Sequence, residues 1–359
     1  MERLLAVPTL IEQGLGGALS MKKALVAACV ALAGAATASP QYTAVNIGAI
    51  AHPEAGDSSG VIAAAGHLVL GWSTPRDTAW PPSVFWVYDL DSGEARDLAD
   101  GLTPFLLNAS GDVLAVTVDA NGNASGTAIV SAAGAVTALD LPADAQPWGL
   151  GTDGLILMNQ PPAMPYLLGA DGVKQPLEGS GATAIAQFRT DSGLVVGSSS
   201  AVLNGPSQPV IWQDGAALEL GNLGHDGWDG FARTASPTTG LVAGAFSGYR
   251  WQRTVFLYGP DGMRDLGEPP GCEWACWPTA INDLGQMVGQ SRDDAEYRAP
   301  HYHGWLWQEG AFTPLQPLVD LPNVNIESPL GIDELGRIPV NGSDDDWHHQ
   351  YALVLVPVQ

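Results

Sequence analysis

The chain repeats itself about every 45 residues, and no other feature of the sequence restricts its fold as much. The clearest copy spans residues 278–319. In it Ala280-Ile281-Asn282-Asp283-Leu284-Gly285-Gln286-Met287-Val288-Gly289 precedes His303-Gly304-Trp305-Leu306-Trp307-Gln308-Glu309-Gly310, and Phe312 to Val319 follows. Asn282-Asp283-Leu284-Gly285 separates two short apolar runs. Asn, Asp and Gly tolerate the positive φ of tight hairpins, so this reads as strand, turn, strand. Glu309-Gly310 marks a second turn of the same kind. Each unit therefore holds four short strands, the size of a propeller blade.

The first strand pair recurs at Val61 to Gly71, Leu106 to Val116, Leu150 to Met158, Ile185 to Gly197, Arg233 to Gly244, Ile281 to Gly289 and Ile332 to Val340. A third strand recurs at Val84 to Gly93, Thr127 to Gly134, Tyr166 to Gly172, Val210 to Gly215, Val255 to Gly262, Trp305 to Gly310 and Tyr351 to Val358. Fourth strands follow only six of these. The seventh is at the other end of the chain, where Tyr42 to Gly48 looks like Met263 to Gly267. A chain that opens on an orphan fourth strand and ends on a third is arranged to close a ring and remove its exposed sheet edges.

The expectation is an all-β chain: a β-propeller of seven four-stranded blades, closed by pairing the N-terminal strand into the last blade. The units are 60–100, 101–142, 143–180, 181–224, 225–271, 272–319 and 320–359, the last completed by 42–48. The copy at 143–180 is the faintest, which leaves six blades with an insertion as the alternative count. Helical periodicity is absent after residue 38, so no helix longer than about two turns is expected.

The copy at 280–319 resembles the HAF extracellular repeat family. Those repeats combine an Ala-x-x-Ile-Asn-x-x-Gly-x-Val-Val-Gly block with His-Ala-Phe-x-Trp and end in Asp-Leu-Gly. Ala280, Ile281, Asn282, Gly285, Gln286, Val288, Gly289, His303, Trp305, Trp307 and Gly310 fit, as do Val195-Val196-Gly197 and Asp265-Leu266-Gly267 in part. The central triplet stands here as His303-Gly304-Trp305. The resemblance implies an extracellular repeat protein and brings no assigned chemistry.

The N-terminus agrees with export. Met21-Lys22-Lys23 is a basic start, Ala24 to Ala36 an apolar run and Ala36-Thr37-Ala38 a small-residue cleavage site, so 21–38 reads as a signal peptide and 1–20 as an over-extended start. Periplasmic or extracellular location follows. Val26-Ala27-Ala28-Cys29 has the outline of a lipidation site but follows Lys23 too closely for a signal's apolar region.

Removing Arg3, Lys22, Lys23, Glu2 and Glu12 from 14 basic and 38 acidic residues leaves 11 against 36, a net charge of −25 on residues 39–359. Such a surface repels nucleic acid and anionic membranes. No later stretch approaches the ~20 apolar residues that span a bilayer, so no membrane insertion is expected, and a monomer is. With 44 Gly, 27 Pro and 14% charged residues, the chain is turn-rich yet apolar enough for a large core.

Candidate functional residues fall in links between strands, where propellers carry binding groups. His225-Asp226-Gly227-Trp228-Asp229-Gly230 sets two carboxylates and a flat apolar ring in a glycine-rich loop, a combination that suits a sugar. Cys272-Glu273-Trp274-Ala275-Cys276-Trp277 pairs two cysteines, most simply as a loop disulfide, beside Trp274 and Trp277. His301, His303, Asp344, Asp345, Asp346, Trp347 and His348 fall in corresponding links of neighbouring units and form an acid-base or divalent-metal candidate. The spacing fits no zinc pattern, so neither a metal site nor a cofactor is assigned. Asp119, Asn121 and Asn123 alternate as a calcium loop begins, but no bidentate Glu follows, and an ordinary turn is expected. G-x-S-x-G, H-E-x-x-H and phosphate-binding glycine loops are absent.

The preferred function is a non-catalytic exported binder of a glycan, peptide or surface partner. The alternative is a polysaccharide hydrolase or lyase using paired carboxylates among Asp226, Asp229 and Asp344 to Asp346.

Overall fold

The computed structural model describes residues 42–358 apart from 54, 76–82, 143, 180, 249–252, 294–301 and 345–348. Its strands form seven four-stranded antiparallel sheets in a ring, a seven-bladed β-propeller. Blades 1 to 6 are continuous in sequence, at 55–97, 102–139, 146–176, 183–219, 229–267 and 275–314. Blade 7 takes three strands from 324–357 and its fourth from the chain's beginning. There Tyr42–Asn46 pairs antiparallel with Gln350–Pro357, Tyr42 opposite Pro357 and Asn46 opposite Leu353.

The closing strand is shorter than Tyr42 to Gly48 suggests. Asn46 accepts a hydrogen bond from the Ala49 amide at 3.0 Å, capping a one-turn helix, Ile47–Ala51, whose Ile47 is buried. That turn carries the chain from the rim of blade 7 into blade 1.

Within each blade the first strand lies innermost and the fourth outermost. Fourth strands such as Lys174–Pro176 and Ala216–Glu219 are largely exposed, while second strands such as Ile156–Asn159 and Val242–Ser247 are almost wholly buried. The core sits between blades. Val196 and Ile211 of blade 4 pack with Ala232, Val242, Phe246 and Phe256 of blade 5. Val61, Val69 and Trp86 of blade 1 pack with Ala352 and Val354 of blade 7, so the closure is filled like any other junction. Each such side chain contributes about 1.5–3 kcal/mol by leaving water.

Two parts of the repeated pattern acquire a physical meaning here. In blades 1, 5 and 6 the glycine at the end of the second-strand block makes room for the aromatic ring of the third strand. A Cβ on Gly289 would lie 2.2 Å from Trp305, one on Gly71 2.2 Å from Trp86, and one on Gly244 2.4 Å from Phe256. The asparagine of Ile-Asn closes the turn. Asn282 is fully buried; its Oδ1 accepts from the Gln286 amide at 2.9 Å and its Nδ2 donates to the Asp333 carbonyl of blade 7 at 2.9 Å. Only Gly285 in that turn takes a positive φ, so Asn282 is present for its amide rather than for its backbone freedom.

Every innermost strand carries a register shift of one residue near its middle, at Ile62, Phe105, Trp148, Gln187, Arg233, Thr279 and Glu327. A bulge of this kind switches which face the following residues present. In blade 4, Ala184 and Ala186 are buried before the shift, and Arg189 after it.

Candidate functional site

The propeller has two faces. Links from a fourth strand to the next blade, and from second to third strands, lie on one; the hairpin turns lie on the other. Asp226, Trp228, Asp229, Trp274, Trp277 and His303 all fall on or beside the link face, in blades 5 and 6. His301, Asp345, Trp347 and His348 lie outside the described residues, as does Asp346.

The 225–230 loop is committed to its own structure. His225 stacks on Trp228 with ring centroids 4.3 Å apart and reaches Asp265 with Nε2 at 3.4 Å. A Cβ on Gly248 would lie 2.3 Å from the Trp228 ring, so backbone abuts the indole as well. Asp226 accepts from Asn222 Nδ2 at 2.8 Å, and Asp229 accepts from the Ser207 amide at 2.9 Å, tying blade 5 to blade 4. Burial raises the pKa of Asp265, but hydrogen bonds from Thr254, the Gly267 amide and His225 outweigh it and hold the carboxyl below its usual range. The two carboxylates proposed to grip a sugar each commit one oxygen to a partner within the protein and remain exposed.

Blade 6 is different. Cys272 and Cys276 are joined in a disulfide, with Cα atoms 5.3 Å apart. Trp274 is half-buried, and the Arg292 guanidinium lies 6.0 Å from its ring centre. Trp277, on the innermost strand Ala275–Ile281, has the Arg233 guanidinium of blade 5 at 5.7 Å. Burial lowers the pKa of Arg233, whose Nη1 also reaches Gln187 of blade 4 at 3.5 Å. His303 is exposed and its Nε2 lies 2.9 Å from Asp293 Oδ2. Asp293 Oδ1 and Arg292 Nε are buried without hydrogen-bond partners. Indoles under guanidinium groups, held by a disulfide and a strand, lose little freedom when a ligand lands on them.

Among the described residues one trio, His67, Asp89 and Asp91, brings potential metal-ligating atoms within 4.8 Å of one another. Asp91 is engaged by Arg337 of blade 7 at 2.5 Å, and Asp89 caps its own turn through the Asp91 amide at 2.8 Å. Through Asp91 it ties blade 1 to blade 7. As expected, Asp119 forms a simple turn by accepting from the Asn121 and Asn123 amides.

The hairpin face carries a residue that sequence reasoning missed. Arg189 ends the innermost strand of blade 4, its side chain only 3% exposed. The equivalent residues are Ala65, Leu107, Leu150, Ala235, Ile281 and Ile332. Aligning the copies on their turns, rather than reading each strand alone, exposes that single charge among apolar residues.

No family model matches the chain, and no curated protein matches it in sequence. Solved structures match by fold. The β-propeller domain of the Trilobed protease from Pyrococcus furiosus, described as having an open velcro topology, aligns with a TM-score of 0.56 at 10% identity, over 84% of this chain and 94% of that one. A prolyl endopeptidase aligns at 0.55 and 9% identity over 87% of this chain but 52% of its own length. YCF48 bound to D1 peptide aligns at 0.52 and 12% identity, over 90% of this chain and 98% of that one. At such identities the likeness is one of propeller fold.

Proposed function

We propose that this chain is an exported, non-catalytic binding protein that takes a glycan or another cell-surface ligand on the link face of blades 5 and 6. The observation that carries the reading is the pair of half-buried tryptophans, Trp274 and Trp277, each beneath a guanidinium and both beside the Cys272–Cys276 staple. A flat apolar ring with adjoining N–H donors suits a sugar's apolar face and hydroxyl oxygens. The catalytic alternative would draw on Asp226 and Asp229, each of which also accepts a hydrogen bond within the protein.

The test is to screen purified residues 39–359 against surface polysaccharides and oligosaccharides while assaying released products. Saturable binding without turnover, weakened about tenfold or more by Trp274→Ala, is the expected result. Product release that Asp226→Asn abolishes would overturn it. Export is tested separately: N-terminal sequencing of protein recovered outside the cytoplasm is expected to begin at Ser39.

A further inference from the structure

We propose that the hairpin face carries a second binding site, for an extended peptide segment with apolar side chains and basic ends, in which Arg189 donates to main-chain carbonyl oxygens. The site is a cavity of about 590 Å³ between blades 3, 4 and 5, walled by Leu155, Leu177, Leu194 and Ile211, with Arg189 at its inner end. Arg189 also lines a smaller cavity of about 130 Å³ at the mouth of the central channel, where the innermost strands of other blades converge. It stands where groove and channel adjoin, a layout that suits an elongated ligand.

Three observations single out Arg189. Its position is apolar in each of the other six blades. Among the described residues its guanidinium donates from Nη2 to Asp153 Oδ2 at 2.5 Å, while Nε and Nη1 are buried with no acceptor. One ion pair with Asp153 accounts for Nη2 alone, and the other two donors are costly when buried without acceptors. The neighbouring blade is also altered to receive it. Where blades 2, 4, 5, 6 and 7 open their turns with Asn108, Thr190, Ser236, Asn282 and Asp333, blade 3 has Gly151, and a Cβ there would lie 1.5 Å from Arg189 Nη1. Two departures from one repeat thus serve one side chain.

The ligand class follows from charge and from the unused donors. Asp153 already balances the guanidinium, and Asp214 and Asp191 line the two cavities. Together with the net charge of −25, they disfavour an anion and favour basic groups flanking a neutral acceptor. Nε–H and the Nη1 hydrogens suit peptide carbonyls, and the leucine walls suit apolar side chains. The two nitrogens are closed to solvent, so a turn of the guanidinium about its side-chain torsions, pivoting on Asp153, must bring them to the cavity.

The experiment uses purified residues 39–359 and two pools of fluorescein-labelled hexapeptides, each randomised over Leu, Ile, Val and Phe, one with Lys and the other with Glu at both ends. Fluorescence polarisation is expected to show saturable binding of the Lys pool and binding of the Glu pool at least about tenfold weaker. Arg189→Leu and Gly151→Ala are each expected to weaken Lys-pool binding about tenfold or more. The second works by displacing the guanidinium tail and crowding Asp153 Oδ1, and circular dichroism and urea unfolding of that variant check that the propeller is still folded. Trp274→Ala is expected to leave this binding unchanged, which separates the site from the one on the link face. Absence of saturable binding, tighter binding of the Glu pool, or indifference to both Arg189→Leu and Gly151→Ala would sink the proposal.

Discussion

The turn that begins at Asn282 in blade 6 and the turn that begins at Gly151 in blade 3 occupy the same place in their blades and are closed by different chemistry. Asn282 closes its own turn through Gln286 and donates across to Asp333 of blade 7. Gly151 has no side chain to offer; its turn is held by Asp153, which accepts from the Leu155 amide at 3.0 Å, and the vacated space holds Arg189. In the first, the repeated residues serve the fold alone. In the second, a side chain that would close the turn is absent and its space holds a buried charge paired with Asp153.

Substitutions in these blades test the contrast, and Asn282→Ala is the sharpest. It strands the Gln286 amide and the Asp333 carbonyl at a buried site, and urea unfolding is expected to show a loss of about 2–4 kcal/mol. A loss below about 1 kcal/mol would mean that the asparagine is not what joins neighbouring blades. Two glycines follow. Gly289→Ala puts a methyl group against Trp305 and the Trp277 carbonyl, neither able to withdraw, and is expected to cost about 2–3 kcal/mol. Gly151→Ala meets side-chain ends only, the Arg189 guanidinium and Asp153 Oδ1, and is expected to cost about 1 kcal/mol, less than Gly289→Ala because no backbone or ring blocks the methyl group. Equal costs at the two positions would erase the distinction.

Arg189→Leu restores the apolar residue of the other blades and leaves Asp153 half-exposed rather than buried. It is expected to raise stability by about 1 kcal/mol, with a matching rise in Tm. Destabilisation would show that the guanidinium supports the fold after all.

The smallest effect belongs to pH. Burial raises the pKa of Asp283, but the Thr238 hydroxyl and the Thr238 and Thr239 amides outweigh it and hold the carboxyl below its usual range. A folded-state pKa below the unfolded value of about 3.9 means the contribution is complete above that pH and disappears as pH falls through the folded value. Asp283→Asn is therefore expected to flatten the acid limb of urea midpoints measured between pH 7 and pH 3, and to do little at neutral pH.

Much of the architecture was legible because turn residues and apolar alternation report local geometry directly. The orphan strand at Tyr42 revealed the closure because its only complement lay at the chain's other end. The bulges were not legible: Ile62, Phe105, Trp148, Gln187, Arg233, Thr279 and Glu327 share no chemistry, so no residue type signals the shift. Arg189 was hidden for that reason. Strict alternation from Ala184 and Ala186 puts it on the opposite face, and the extra residue at Gln187 turns it inward. Trp228, Asp226 and Asp229 illustrate the converse. Composition suggested a ligand loop, and what it did not show is that the same groups also touch His225, Asn222 and Ser207.

The closing strand also sets an order of events. Tyr42–Asn46 precedes every other propeller strand in the chain and its partner, Gln350–Pro357, follows them all, so the closing pair joins the two strands farthest apart in sequence. Until the two meet, blade 7 has an open edge and Tyr42 has no core to enter. Six blades join strands that are sequence neighbours, whereas this pairing is the non-local contact that costs the most chain entropy to form. A chain interrupted before its final strand would thus carry two unpaired edges, a natural signal of incompleteness for any factor that holds or degrades unfinished protein.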